Sequence, residues 1–159
     1  MDVQIRRAAI LDFEVFNRLL LEVHRLHVEN EAHIFREPED GVVFPKHRMV
    51  EILSDDEAAI FLAEAGGRVV GFAVVMLRRP PDDALFVPRK FAVVDSIGVT
   101  EAFQSRGVGR ALMEEVTGWA REHHAPSIEL SVHDFNRQAI RFYELLGFST
   151  YLHRMEKKI

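Results

Sequence analysis

The chain has 159 residues, 48% of them hydrophobic, and a formal net charge of −5. That size predicts one domain over residues 1–159 built on one real core, and the acidic balance, with no continuous basic face, excludes general nucleic-acid binding. Cysteine is absent, which excludes disulfide frameworks, thiolate metal sites and cysteine nucleophiles and points to a cytoplasmic setting.

The N-terminus enters a strand-like alternation rather than the basic and apolar runs of a signal peptide, and Val3 to Ala9 reads as the first strand. Asp12 is placed to N-cap a helix with Phe16, Leu19, Leu20, Val23 and Leu26 on its apolar face, ending near Val28. From Glu29 to Pro45 the periodicity is lost among acids and turn formers, predicting a long loop of the kind that serves as a binding loop or lid. His47 to Leu53 makes a short helix stopped by Ser54-Asp55-Asp56. Ala58 to Ala65 and Arg68 to Leu77, joined by Gly66-Gly67, form a hairpin, because the Gly pair supplies the positive φ of a two-residue turn.

Arg78 to Pro88 reads as a loop and Lys90 to Val99 as a strand. Val108, Ala111, Leu112, Val116, Trp119 and Ala120 then recur at helical spacing to about His123, with Trp119 in the core. Ser127 to Val132 is a buried strand. Asn136 caps a second helix carrying Ala139, Phe142, Tyr143 and Leu146, ended by Gly147 and Phe148 in a Schellman arrangement. Thr150 to Glu156 reads as the last strand. The order is β-α-α-β-β-β-α-β-α-β, a mixed α/β chain with one parallel βαβ unit in its second half. No apolar stretch approaches the about 20 residues that span a bilayer, so no membrane partner is expected.

Between the strand ending at Val99 and the helix beginning near Val108 lies Gln104-Ser-Arg-Gly107-Val-Gly109-Arg. Two glycines one residue apart let several N–H groups face an anion over a helix N-terminus, and Arg106 and Arg110 add positive charge. The segment does not fit G-x-x-x-x-G-K-[ST], which disfavours nucleoside triphosphate hydrolysis. It resembles the dinucleotide fingerprint only in part, because Leu112 stands where a third Gly or Ala would allow close helix–strand packing.

Gln104-x-x-Gly107-x-Gly109 also resembles the Q/R-x-x-G-x-G/A pyrophosphate motif of the GNAT superfamily of N-acetyltransferases. The strand five residues upstream, the amphipathic helix downstream, and Asn136-x-x-Ala139-x-x-Phe142-Tyr143-x-x-x-Gly147-Phe148 give that resemblance its context, strongest over Phe91 to Phe148. It implies an α+β fold, a mostly antiparallel twisted sheet of six to seven strands with four helices on its two faces and a central, splayed parallel pair. The implied cofactor is acetyl-CoA (coenzyme A). Its pyrophosphate would lie on Gln104, Ser105, Arg106, Gly107, Val108, Gly109 and Arg110. Ile97, Gly98 and Val99 would meet the pantetheine arm, with Gly98 relaxing the strand into a bulge. Asn136, Ala139, Phe142 and Tyr143 would complete the cofactor site.

The implied reaction is attack of a primary amine of a small molecule or protein on the thioester. Tyr143 matches the family's tyrosine that donates to the sulfur. Asp95 occupies a place where many members carry a Glu that acts through water, and reads either as that base or as a substrate anchor. His133 is a second base candidate. The acceptor pocket maps to about Leu26–Val50, where His27, Phe35 and Phe44 offer walls and the acids suit a cation. No metal site is expected, since His24 with His27 and His123 with His124 lack a carboxylate at ligand spacing. A homodimer is compatible with the C-terminal strands. Because Asp95 departs from Glu, a non-catalytic acyl-CoA binding or sensing module is the alternative, and a dinucleotide-binding domain a further one.

Overall fold

The computed structural model describes residues 2–159. Its single sheet has five strands in the order β1-β2-β3-β4-β5: β1 Val3–Arg7, β2 Ala58–Ala65, β3 Arg68–Arg78, β4 Phe91–Val99 and β5 Ile128–Leu130. The helices are α1 Phe13–Asn30, α2 Lys46–Leu53, α3 Val108–Glu122 and α4 Arg137–Leu145. No described helix is long and apolar enough to cross a membrane.

β2 and β3 are apolar almost without interruption because both of their faces are covered. Alternate residues serve opposite faces. Phe61, Ala63, Ala73 and Val75 pack with Leu112, Val116 and Trp119 of α3, whereas Ile60, Leu62, Phe72 and Val74 pack with Phe16 and Leu19 of α1 and Met49 of α2. Phe142, Leu146 and Phe148, in and just beyond α4, add to the α3 side. Four helices on two faces is therefore the observed arrangement. Each fully buried large side chain contributes roughly 1.5–3 kcal/mol. Trp119, the one tryptophan, is buried as expected and stacks on His123 at 4.2 Å between ring centroids.

The Gly66-Gly67 hairpin forms as read, with φ of 57° and 73° and Ala65 paired to Arg68. Asp12 works differently from the expectation. It closes a 3-10 turn at Ile10–Asp12 by accepting from Ala9 N–H at 2.8 Å, and it makes no side-chain cap on α1. Arg6 grips the same carboxylate through both terminal nitrogens at 2.8 Å and reaches Glu64 at 2.6 Å, tying β1, β2 and the entry to α1. α1 runs two residues past Val28, to Asn30. The segment after it is pinned by Asn17, whose amide donates to Gly41 O and accepts from Val43 N–H. That brings Phe44 into the core, edge-on to Phe16, so Phe44 is not the pocket wall that was expected.

The sheet stops at five strands rather than six to seven. Residues 149–159 form no strand: Tyr151, Leu152 and Met155 are 76%, 72% and 91% exposed, and the segment touches the sheet through the Tyr151 hydroxyl donating to Glu129. Apolar alternation specifies a strand only where a face is buried, and nothing covers this one. The parallel pair β4–β5 accordingly lies at the end of the sheet, not at its centre.

Candidate active site

β4 and β5 are joined at Ala92–Ile128, Val93–Glu129 and Val94–Leu130, and pairing ends there. On its other side, β4 shifts register against β3: Val75 opposes Val94 and Val74 opposes Ser96, which leaves Asp95 as the extra residue of a bulge. The bulge is thus at Asp95, not at Gly98. Gly98 has another cause. A Cβ there would collide with Val23 of α1 and lie 2.8 Å from Phe72, so the bare backbone lets α1 cross close to the strand.

The bulge decides which backbone groups face the gap. Ala92 N–H donates toward β5, to Ser127 O, and Thr100 N–H donates toward β3, to Val70 O. Counting back from Thr100 by the two-residue period, Val99 and Ile97 point away from β3, along the edge that β5 has left. Val99 O takes a bond there from Gln104 Nε2 at 3.0 Å, and Gln104 Oε1 accepts in turn from Gln138 at 3.3 Å. Gln138 was not foreseen; its link to Gln104 spans 34 residues.

Ser105 and Gly107 are both left-handed, with φ of 58° and 87°. Gly107 is the N-cap of α3, makes no side-chain cap, and a Cβ on it would meet nothing within 4 Å. Ala111 N–H makes the first helical bond, to Gly107 O, so the N–H groups of Val108, Gly109 and Arg110 precede the helical ladder, at the end of α3 where Gly107, Gly109 and Arg110 line a cleft. This donor set, with the positive end of the helix dipole, suits a phosphate group. Val108 sends its side chain into the core, and Arg106 lies over Phe103 at 5.7 Å. Gly109 is bare because Phe142 occupies the space: its Cζ would be 3.2 Å from a Cβ.

These groups line a cleft of about 1150 Å3 between α1, the end of β4, the glycine loop and α4. It takes in Ile97, Gly98, Val99, Gln104, Ser105, Gly107, Gly109, Arg110, Asn136, Ala139, Phe142 and Tyr143, together with Glu22, Arg25 and Arg141, which the sequence reading passed over. Asn136 caps α4 as expected, accepting from Ala139 N–H at 3.1 Å. The Schellman closure is present: Gly147 N–H donates to Glu144 O and Phe148 N–H to Tyr143 O, each at 3.0 Å.

A second cavity of about 110 Å3 fills the gap between the diverging strands. His27, Asp95, His133 and Tyr143 line it, and Val23, Ile97, Asn136, Ala139 and Tyr143 are common to both cavities. Burial pushes the Tyr143 phenol up to about 12 from an ordinary 10, so it is protonated at neutral pH with or without the shift. Asp95 is exposed to this space. Around it stands an aromatic cluster: His27 lies 5.1 Å from both Phe35 and His133 and 5.6 Å from Phe135. Three separate segments supply these rings, so only Phe35 and the two histidines were legible beforehand.

The model of the Acetyltransferase (GNAT) family matches residues 20–148. The chain belongs to the GNAT acetyltransferase family. It is 33% identical over 108 residues to an N-alpha-acetyltransferase of Sulfurisphaera tokodaii, covering 66% of this chain and 65% of that protein. It is 34% identical over 96 residues to a mycothiol acetyltransferase of Thermomonospora curvata, covering 60% of this chain and 29% of that protein. The match thus spans less than two thirds of either curated relative. Among solved structures, a mutant of the BH1408 protein from Bacillus halodurans superposes with a TM-score of 0.92 at 27% identity, covering 98% of this chain and 99% of that one. The aminoglycoside N-acetyltransferase AAC(6')-Iy in complex with CoA shares the fold, with a TM-score of 0.71, 21% identity and 98% coverage of both chains.

Proposed function

We propose that the protein transfers an acetyl group from acetyl-CoA to a primary amine of a small molecule or a protein, by direct attack in a ternary complex, within one domain over residues 1–159. The observation that carries this reading is the meeting of two unlike cavities at Tyr143: a cleft with a phosphate cradle at one end, and a small pocket bearing a carboxylate and two histidines. The first suits the donor and the second a cationic acceptor.

In this reading the N–H groups at the start of α3 hold the pyrophosphate, and the free-edge groups of Ile97 and Val99 pair with the pantetheine arm. One of their N–H groups polarises the thioester carbonyl, as an oxyanion donor does. A lysine-like amine titrates near ~10.4 and arrives charged. Asp95 draws the ammonium to the pocket, and Tyr143, protonated at neutral pH, supplies the proton to the departing sulfur. The reading includes a cytoplasmic setting and leaves the homodimer to a light-scattering measurement.

The deciding experiment is an acceptor screen with acetyl-CoA over polyamines, aminoglycosides and N-terminal or lysine peptides, following free thiol and confirming product mass. Acetylated product from one class is the expected result. Wild-type protein that binds acetyl-CoA and releases no thiol with any amine would make it a binding module instead.

A further inference from the structure

We propose that Gln138 is a positioning residue of the donor site. Acting through Gln104, it fixes the glycine loop against the end of β4 and so sets the span between the phosphate cradle and the strand edge. This rests on the reading above in which the cradle holds the pyrophosphate of coenzyme A and the edge its pantetheine arm.

Gln138 stands in the first turn of α4, Gln104 closes a 3-10 turn over Glu101–Phe103, and Val99 is the last residue of β4. Gln104 Nε2 donates to Val99 O at 3.0 Å, and Gln138 Nε2 donates to Gln104 Oε1 at 3.3 Å. The direction of this relay is forced. A main-chain carbonyl has no proton to give, so Gln104 turns its NH2 to Val99, and the oxygen left over can only accept. Gln138 supplies the donor it needs.

The main-chain bonds of the loop are local: Gln104 N–H turns back to Glu101 O, and Ala111 N–H to Gly107 O. Between them Ser105 and Gly107 are both left-handed. These bonds shape the loop without fixing its distance from the strand, whereas the Gln104 amide reaches back five residues to the strand's last carbonyl.

Val99, Gln104 and Gln138 line the same cleft as Gly107, Gly109 and Arg110. Both glutamines are exposed, so in the open cleft water competes for their amides and the relay is weak. A ligand that fills the cleft expels that water, and the same bonds strengthen in drier surroundings. Coenzyme A carries its pyrophosphate and its pantetheine amides on one covalent arm. A cradle displaced from the strand edge satisfies one or the other but not both, and a small shift of the thioester is costly in rate.

The test uses the full chain and two ligands, coenzyme A and 3′-phosphoadenosine 5′-diphosphate, which keeps the pyrophosphate and lacks the pantetheine arm. Gln138→Met keeps the length of the side chain and removes the donor. By calorimetry it should bind the diphosphate within twofold of the wild type and CoA about 2- to 10-fold more weakly, the worth of one net hydrogen bond. Gln104→Met should show the same split, and Gln104→Met/Gln138→Met no further loss than Gln104→Met alone, because Gln138 acts through Gln104. Gln138→Glu replaces the donor by an acceptor and draws the Gln104 NH2 away from Val99. Its ratio of CoA to diphosphate affinity should fall at least as far as that of Gln138→Met, the diphosphate registering the effect of the added charge.

Thermal unfolding of each variant should match the wild type, since both side chains are exposed. In the ligand-free protein, the Gln104 side-chain 15N–1H resonances should lie away from those of free glutamine amides and return toward them in Gln138→Met. Equal weakening of both ligands, or full CoA affinity in Gln138→Met, overturns the relay and leaves the acetyltransferase reading standing. The expected split in a protein that acetylates no amine overturns the transfer and leaves the relay standing. A wild type that binds neither ligand overturns both.

Discussion

Phe142 sits over Gly109, its Cζ 3.2 Å from where a Cβ would stand, so α4 is seated on the first turn of α3. Gly109→Ala is therefore expected to push the ring off the cradle. The cost should be about 1–3 kcal/mol, the usual range for overpacking, together with weaker CoA binding. Combining it with Phe142→Leu, which gives the methyl room, should return part of both losses. Thermal unfolding and calorimetry with CoA measure them.

Tyr143→Phe removes the acid and little else. We expect kcat to fall roughly 100-fold, within the range for a general acid, and CoA affinity to change less than twofold by calorimetry. The hydroxyl also leaves a signature in stability. Its folded value is raised to about 12 from the ordinary 10, so between those values the unfolded chain has lost a proton that the folded chain keeps. Whatever Tyr143 contributes is complete below pH 10 and is lost as pH rises from 10 to 12. The Phe variant should lack that slope in alkaline denaturant titrations.

Asp95 is the carboxylate of the smaller pocket. Asp95→Asn keeps the bulge and removes the charge, so the KM of a cationic amine should rise about tenfold, equivalent to roughly 1.4 kcal/mol, while CoA binding holds.

Asp12 anchors the N-terminal half. The Arg6 guanidinium, bonded at both carboxylate oxygens, holds Asp12 below its ordinary value of 3.8, and the Ala9 N–H bond adds to this. A lowered folded value means that the stabilisation is present above pH 3.8 and is lost as the pH falls through the folded value. Asp12→Asn should cost about 1.5–3 kcal/mol at pH 7, the range for charge-assisted bonds, and progressively less below pH 4. Urea titrations at pH 7 and pH 3 check both figures.

The glycine loop, the hairpin and the Asn136 to Phe148 helix were legible because each depends on neighbours in sequence: a turn needing positive φ, a cap three residues from its donor, a Schellman closure. Trp119 followed from helical spacing alone. The Asp95 bulge escaped notice, since it is a mismatch between two strands and leaves no mark on either. The link of Gln104 to Gln138 escaped for the same reason. The final strand was misread because Tyr151 to Met155 has the pattern of a half-buried strand without anything to bury it.

Trp119 gives the protein an intrinsic optical probe with a narrow field of view. It is the one indole in the chain, is almost wholly enclosed, and lines neither cavity. Its emission should be blue-shifted and should follow the separation of α3 from the sheet during unfolding, while staying nearly silent when either cavity fills. Fluorescence titration with a ligand would therefore register no binding even at saturation.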